Sequence, residues 1–304
     1  MMMSSDVLAA DGKTTIRREA NEVVRHRIEA MSLARLKETA PGVAASLVCV
    51  DHSSMAYLEP FYGAEHRLRS EGDFRNLTSR LLDASIPEAS RRRIGSDDVT
   101  VIGTTLRELF GNTHDHARTD TDGRPWRKSV RGVFVSHYQI EVDRLQISTQ
   151  GLEPLYLYMS AHRKLVKQKH IQFFEISVYD SGPGFAARRL GKKVDPETPI
   201  QDEYEAVTSC FLKHVSSKGK PTDGLGLYRV MGLLKRRRGF LRLRTGRLSL
   251  FRSFAPESSE QPELSPADLT LRDVSTGVES PSIHAQAEGA AVSVILPVGR
   301  SARW

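Results

Sequence analysis

The sequence predicts an α+β fold, and three observations carry the prediction. Segments with helical hydrophobic periodicity, such as Ser96 to Ala117, are kept apart from segments with strand-like alternation, such as FFEISVYD (residues 173–180). No internal repeat joins them into a regular βαβ series. The chain of 304 residues is 39% hydrophobic and 27% charged, so it can build a core, as one large or two modest domains, and is not wholly disordered.

Taken in order, residues 1 to about 13 read as disordered. The opening MMMSSDVLAADG has no basic start and no apolar run, and Asp6 and Asp11 interrupt it, so it predicts a cytosolic protein without a secretory signal. Thr14 to Lys37 reads as a helix with Val23, Val24, Ile28 and Met31 on one face. Gly42 to Asp51 reads as a buried strand and Phe74 to Ile86 as a short amphipathic helix. PEASRRRIGS (residues 87–96) then reads as a linker. This organisation separates residues 1–90, a mainly helical extension or partner-binding region, from a main domain over 91–304. At its end AVSVILPV is a β-branched strand stopped by Pro297.

The longest apolar runs, Gly42 to Val50 and Gly289 to Val298, fall short of the roughly 18 residues that a membrane helix needs. Cys49 and Cys210 sit in apolar surroundings without metal-ligand spacing, which predicts small buried hydrophobes and no disulfide framework. Net charge is +7, but its distribution is uneven. Lys235 to Arg252 holds eight basic residues and no acid, whereas Ser253 to Glu288 holds seven acids, one Arg and many Ser and Pro. The second stretch predicts a flexible acidic loop over 253–288.

Three short boxes carry chemistry. Ser96, Asp97 and Asp98 form a helix start, and the helix they open runs to about Ala117. Ile102, Leu106, Leu109 and Thr113 share one face of it, with Glu108, Asn112 and Asp115 roughly 120° around. A carboxylate and a carboxamide one turn apart are hard oxygen ligands suited to Mg²⁺ and to orienting a water; the same pair also fits a solvated helix face.

The second box is a strand that places Asp180 at the end of the apolar row Phe174, Ile176 and Val178, followed by Gly182 and Gly184. A carboxylate aimed at the core side needs donors, of which a purine amine is one, and the glycines permit close backbone approach. A surface turn is the alternative. The third is SSKGKPTDGLGLYRVMGLLKRRRG (residues 216–239), a Gly-containing loop leading into a helix with Leu227, Val230, Met231 and Leu234 on one face and Gly239 as its cap. Free amides at such a helix start suit a phosphate, although a lone GLG is common.

In this order the boxes resemble the ATP-binding domain shared by gyrase, heat-shock chaperone, histidine kinase and MutL proteins, the GHKL (Bergerat) family, over residues 96 to 298. The resemblance implies a two-layer α/β sandwich with helices on one face of a mixed sheet and the nucleotide between the layers. It implies ATP and Mg²⁺ as cofactors, Asn112 as metal ligand and Glu108 as the group that positions or deprotonates the nucleophile. Asp180 would read the adenine amine with Gly182 and Gly184 beside the base. Gly224, Leu225, Gly226 and Leu227 would close on the phosphates, with Lys218 as a further contact. Asp115 matches the chaperone and MutL pattern, whereas His116 with Ala117 matches the anti-sigma-factor kinases.

The chain departs from the family in a long Asn112 to Asp180 separation, with the excess expected over 141–170, and in Gly289-Ala290 where many members have Gly-Thr. The resemblance implies an ATPase switch acting on a partner protein of unknown identity, with a homodimer left open. A Ser, Thr or His kinase acting in trans is the alternative, and an ATP-gated nucleic-acid binder is a third, disfavoured one. His26 is followed by Arg27 and lacks a phosphoacceptor context, which disfavours self-phosphorylation.

Overall fold

The computed structural model describes residues 8, 10–126, 129–149, 151–165, 169–213, 225–256 and 263–298. In chain order these form α1 (Arg17–Ser32), β1 (Ala44–Val50), α2 (Glu71–Ser85), α3 (Glu88–Arg91), α4 (Ser96–His116) and β2 (Val130–Glu141). There follow α5 (Leu145–Ser148), α6 (Glu153–Leu165), β3 (His170–Asp180), α7 (Phe185–Leu190), α8 (Ile200–Ser209), α9 (Gly226–Arg236), β4 (Phe240–Gly246), β5 (Leu248–Ser253), β6 (Arg272–Asp273) and β7 (Ala287–Pro297). No helix among the described residues is long and apolar enough to cross a membrane.

The strands make one sheet in the order β1-β2-β3-β7-β4-β5-β6. The expected mixed sheet is antiparallel throughout these pairings. The reason is β7. Strands β3 and β4 run the same way, but β7 lies between them and is antiparallel to both, so they never pair directly. Alternation along each strand divides the sheet into two faces. Phe174, Ile176 and Val178 of β3, Val292 and Val294 of β7, and Leu241 and Leu243 of β4 face one core. The apolar faces of α2, α4 and α9 pack into the same core through Leu77, Leu81, Leu106, Leu109, Val230 and Leu234. This is the expected α/β sandwich.

The opposite face is not bare. Phe173, Phe240, Phe251 and Ile295 form a second core with Leu145, Tyr158 and Met159 of α5 and α6. Within 141–170, α5 and α6 therefore form a helical cover, and the expectation of helices on one face holds only for the main layer. The sequence places excess length here without assigning it a structure or a destination.

The boundary expected near residue 90 coincides with no break in the sheet or core. Strand β1 pairs with β2 over seven positions, from Ala44↔Ser136 to Val50↔Val130. Phe61 and Phe74 join Phe110 of α4 in an aromatic cluster, with Phe61 stacked on Phe110 at 3.9 Å. In place of the long N-terminal helix, α1 stops at Ser32, Ala34 takes φ 51°, and Leu36–Glu38 forms a 3₁₀ turn. Val23, expected on the buried face, is 48% exposed.

Within the expected acidic loop, residues 263–287 are ordered; 257–262 lie outside the described residues. Asp268 accepts from Lys235 Nζ at 2.7 Å and from Arg252 at 3.2 Å. Burial alone would push its carboxyl up, but the bonds from Lys235 and Ser265 hold it down at about 2. Fully buried Asp273 accepts the amides of Ser275, Thr276 and Ser282. Composition suggests disorder here because it does not show that these acids find buried cations and amides.

Candidate functional site

Helix α4 begins one residue earlier in its capping than the sequence suggests. Gly95 is the N-cap, and its amide donates to Asp98 Oδ2 at 3.1 Å. The predicted apolar face is correct: Ile102, Leu106, Leu109 and Thr113 are all buried. Of the polar edge, Asn112 reaches the gap between the helical layer and the sheet. That gap is an open cleft of about 990 Å³, its mouth included, lined by Asn112 and His116 of α4, Asp180 at the end of β3, and Gly184. Gly226 and Leu227 at the start of α9, Ala290 and Val292 of β7, and Arg188, Arg189 and Cys210 complete its wall. Three boxes that lie far apart in sequence thus share one cleft.

Asp180 accepts the Gly182 amide at 2.9 Å. Burial raises its carboxyl from 3.8 to about 6, while the amides of Gly182 and Ala290 and the charges of Arg131 and Arg188 pull the other way. It remains a carboxylate at neutral pH and presents an acceptor to the cleft. Gly184 lines the cleft at φ +83°, where a Cβ would stand 2.9 Å from Thr245 Oγ1 and 3.1 Å from Gly289 O. Gly182 has another role. It is absent from the cleft wall, and a Cβ there would stand 2.6 Å from Ala117 Cα, so its bare backbone makes room for the end of α4. Gly182→Ala should therefore destabilise the fold by about 1–3 kcal/mol through overpacking, as measured by urea denaturation; an unchanged midpoint would show that α4 yields at no cost.

Arg188 closes the same junction. Its guanidinium donates to the carbonyls of His116 at 2.7 Å and Asp120 at 2.9 Å, and to Thr119 O, placing a cation at the C-terminus of α4. Thr245, buried in β4, donates to Gly289 O at 2.9 Å and accepts the Phe185 amide at 3.3 Å, fixing the loop after Asp180 against β7. Ala290 stands directly opposite Asp180 in register and carries no hydroxyl.

Asn112 lines the cleft beside the first turn of α9, and Glu108, which is not on the cleft wall, faces the same turn. A Cβ on Gly226 would be 2.9 Å from Glu108 Oε2 and 3.8 Å from Asn112 Oδ1. Leu225 is the N-cap of α9 and offers no capping side chain. Gly239, expected as its C-cap, instead follows Arg238 in the left-handed conformation. A Cβ on Gly239 would meet Leu234 and Leu296, so close packing demands the glycine. Asn112 Nδ2 is buried without a hydrogen-bond partner among the described residues. No group of three His, Cys, Asp or Glu side chains among those residues could hold a metal ion. A cation here would find one hard oxygen, Asn112 Oδ1, whereas the unpartnered Nδ2 is a donor that calls for an acceptor.

The remaining expected residues divide. His116 lines the cleft, but Asp115 is exposed and outside its wall. His114 meets Tyr62 OH at 3.0 Å, away from His116, as their helical spacing predicts. Lys218 and Gly224 lie outside the described residues. Cys49 is buried, but Cys210 is half-buried on the cleft wall, with burial pushing its thiol up to about 11. Arg188 and Cys210 had no signal of their own in the sequence, since one sits in an AARR run and the other in an apolar one.

A buried network lies beneath the site. Arg131 of β2, fully buried, donates to Asp51 Oδ1 at 2.5 Å, to Ala56 O at 3.0 Å and to Tyr62 OH. It stands opposite Asp180 in the β2–β3 register. The loop after β1 thereby supplies the counter-ion of the cation beside Asp180. Comparison with protein-family models, with characterised proteins and with solved structures finds no match for this chain.

Proposed function

We propose that the chain is a Mg²⁺-dependent ATP-binding protein of the GHKL type, an ATPase switch whose nucleotide state alters contact with a partner protein. The observation that carries this reading is the convergence of Asp180, Gly184, Asn112 and the start of α9 on one cleft. Asp180 and Gly184 suit a base that offers an amine, since a buried carboxylate needs a donor. The N-terminus of α9, with Gly226 at its first position, suits phosphate oxygens. Asn112 Oδ1 would hold the cation, which when bound would neutralise charge between the phosphates, and the unpartnered Nδ2 would donate to a phosphate oxygen. Glu108 stands where it can orient or deprotonate a nucleophile near the same helix end. Phosphate transfer to Ser, Thr or His of another protein uses the same residues. Label released as free phosphate supports the ATPase, and label retained on a partner supports the kinase.

The basic ridge offers less to nucleic acid than its sequence suggests. Lys235 and Arg252 bind Asp268, Arg237 binds Asp98, and Arg247 binds fully buried Glu203 at 3.0 Å. Arg244 is turned onto the carbonyls of Gly246 and Leu248, which leaves Arg242 as the exposed member of the β4 pair. Titration calorimetry of the full chain with ATP and Mg²⁺ should give saturable binding that EDTA weakens. Absence of binding at millimolar nucleotide would overturn the reading.

A further inference from the structure

Glu108 is not alone at the start of α9. Its Oε1 accepts from Arg229 Nη1 at 3.1 Å, and Arg107 Nη1 lies 3.8 Å from the same oxygen. Oε2 is the oxygen nearest Gly226. The carboxylate is thus held by one oxygen while the other faces the helix end. Arg229 is held in turn by a residue from before the expected domain boundary. Glu71, at the first position of α2, accepts from Arg229 Nη2 at 3.0 Å and Nη1 at 3.3 Å, a two-pronged grip on the guanidinium. Glu71 Oε1 also accepts from Thr104 Oγ1 at 2.8 Å.

The placement of Glu71 follows from local structure. Ser70 and Asp73 form a capping box that fixes where α2 begins. Gly103 lets α2 approach α4 closely: a Cβ there would stand 3.1 Å from Arg75 Cα. Thr104, one residue on, then reaches Glu71. A chain of bonds therefore runs Thr104, Glu71, Arg229, Glu108 across α4, α2 and α9. Long arginine side chains lose much rotamer freedom when fixed, and this one, 46% exposed, is fixed by two carboxylates on different helices.

We infer that Glu71 and Arg229 are positioning residues for the reaction in which Glu108 acts, with Glu71 setting the guanidinium plane and Arg229 turning the free oxygen of Glu108 toward the start of α9. The inference rests on the nucleotide reading above and adds that α2, from the region before residue 90, takes part in turnover without touching nucleotide. Glu71 meets Arg229 on the α2 side, and Asn112, not Arg229, lines the cleft.

The test uses the full chain with Glu71→Gln, Thr104→Val, Arg229→Lys and Arg229→Ala, and the double variant Glu71→Gln with Arg229→Ala. Two quantities are measured: affinity for ATP with Mg²⁺, and the single-turnover rate of phosphate release or transfer at saturating nucleotide. Misplacing a reacting group costs up to about 100-fold, so Glu71→Gln and Arg229→Lys should lower the rate about 10- to 100-fold while affinity changes less than about threefold. Thr104→Val should fall in the same direction, and serves if Glu71→Gln fails to fold. The double variant should be no slower than Arg229→Ala alone, because Glu71 acts through Arg229. Wild-type rates in Glu71→Gln and Arg229→Ala, a faster Glu71→Gln, or multiplicative losses in the double variant would overturn the inference and leave the nucleotide reading intact. A wild-type chain that binds no nucleotide overturns that reading, and this inference with it.

Discussion

Asp180→Asn is expected to weaken ATP binding and, at the same time, to stabilise the nucleotide-free protein at neutral pH. The loss of affinity, about 1–3 kcal/mol, follows from replacing an acceptor with a mixed donor and acceptor opposite the purine amine. The gain in stability follows from linkage. Burial raises the Asp180 carboxyl from 3.8 to about 6, so between those values the folded chain holds a proton that the unfolded chain has released. Stability therefore falls as pH rises through that window, by an amount of order 1–3 kcal/mol once solvent at the cleft is allowed for. The amide variant has no proton to lose. Thermal melts at pH 4 and pH 7 should show the wild type losing more than the variant over this interval, and calorimetry should show the affinity loss. Unchanged affinity in a folded variant would remove Asp180 from the site. A variant less stable than wild type at pH 7 would show that the Gly182 and Ala290 amides matter more than desolvation.

Glu108→Ala is expected to separate binding from chemistry. The carboxylate faces Gly226 at the start of α9, beside the cleft and not on its wall, whereas Asn112 and Asp180 line it. Nucleotide affinity should therefore persist. Turnover should fall about 10²- to 10⁴-fold, the usual contribution of a positioned base. Single-turnover measurement with labelled ATP decides this, since wild-type turnover would reduce Glu108 to a partner of Arg229.

The parts of this site that were legible in the sequence are those written in local periodicity. The helix over Ser96–His116 and the edge that carries Glu108 and Asn112 follow from apolar spacing alone. The strand ending in Asp180 follows from alternation, and the start of α9 from glycines before an amphipathic run. What stayed hidden depends on pairs distant in sequence. Arg229 has no distinguishing context until Glu71, 158 positions earlier, is placed beside it. Arg131 reads as an ordinary strand residue until Asp51 and Tyr62 enclose it. Asp268 and Asp273 read as solvated because their partners lie in α9, β5 and backbone amides. Gly182 was assigned to ligand approach for the same reason, since the helix end that it accommodates belongs to another box.

The insertion of β7 between β3 and β4 has a consequence for how the molecule is assembled. The central strand of the sheet is the last of the seven in chain order, so β1 to β3 and β4 to β6 are two half-sheets until it arrives. Its pairings span more than a hundred residues on the β3 side, as between Phe174 and Leu296, and such distant contacts slow folding because loop-closure entropy precedes their reward. The cleft inherits this timing. Ala290 and Val292 form part of its wall, and Gly289 receives the Thr245 hydroxyl that steadies the loop after Asp180. Synthesis from the N-terminus therefore delivers every side chain of the polar edge well before the floor on which a ligand would rest, and an unfinished chain carries two open β-edges where the finished one carries its centre.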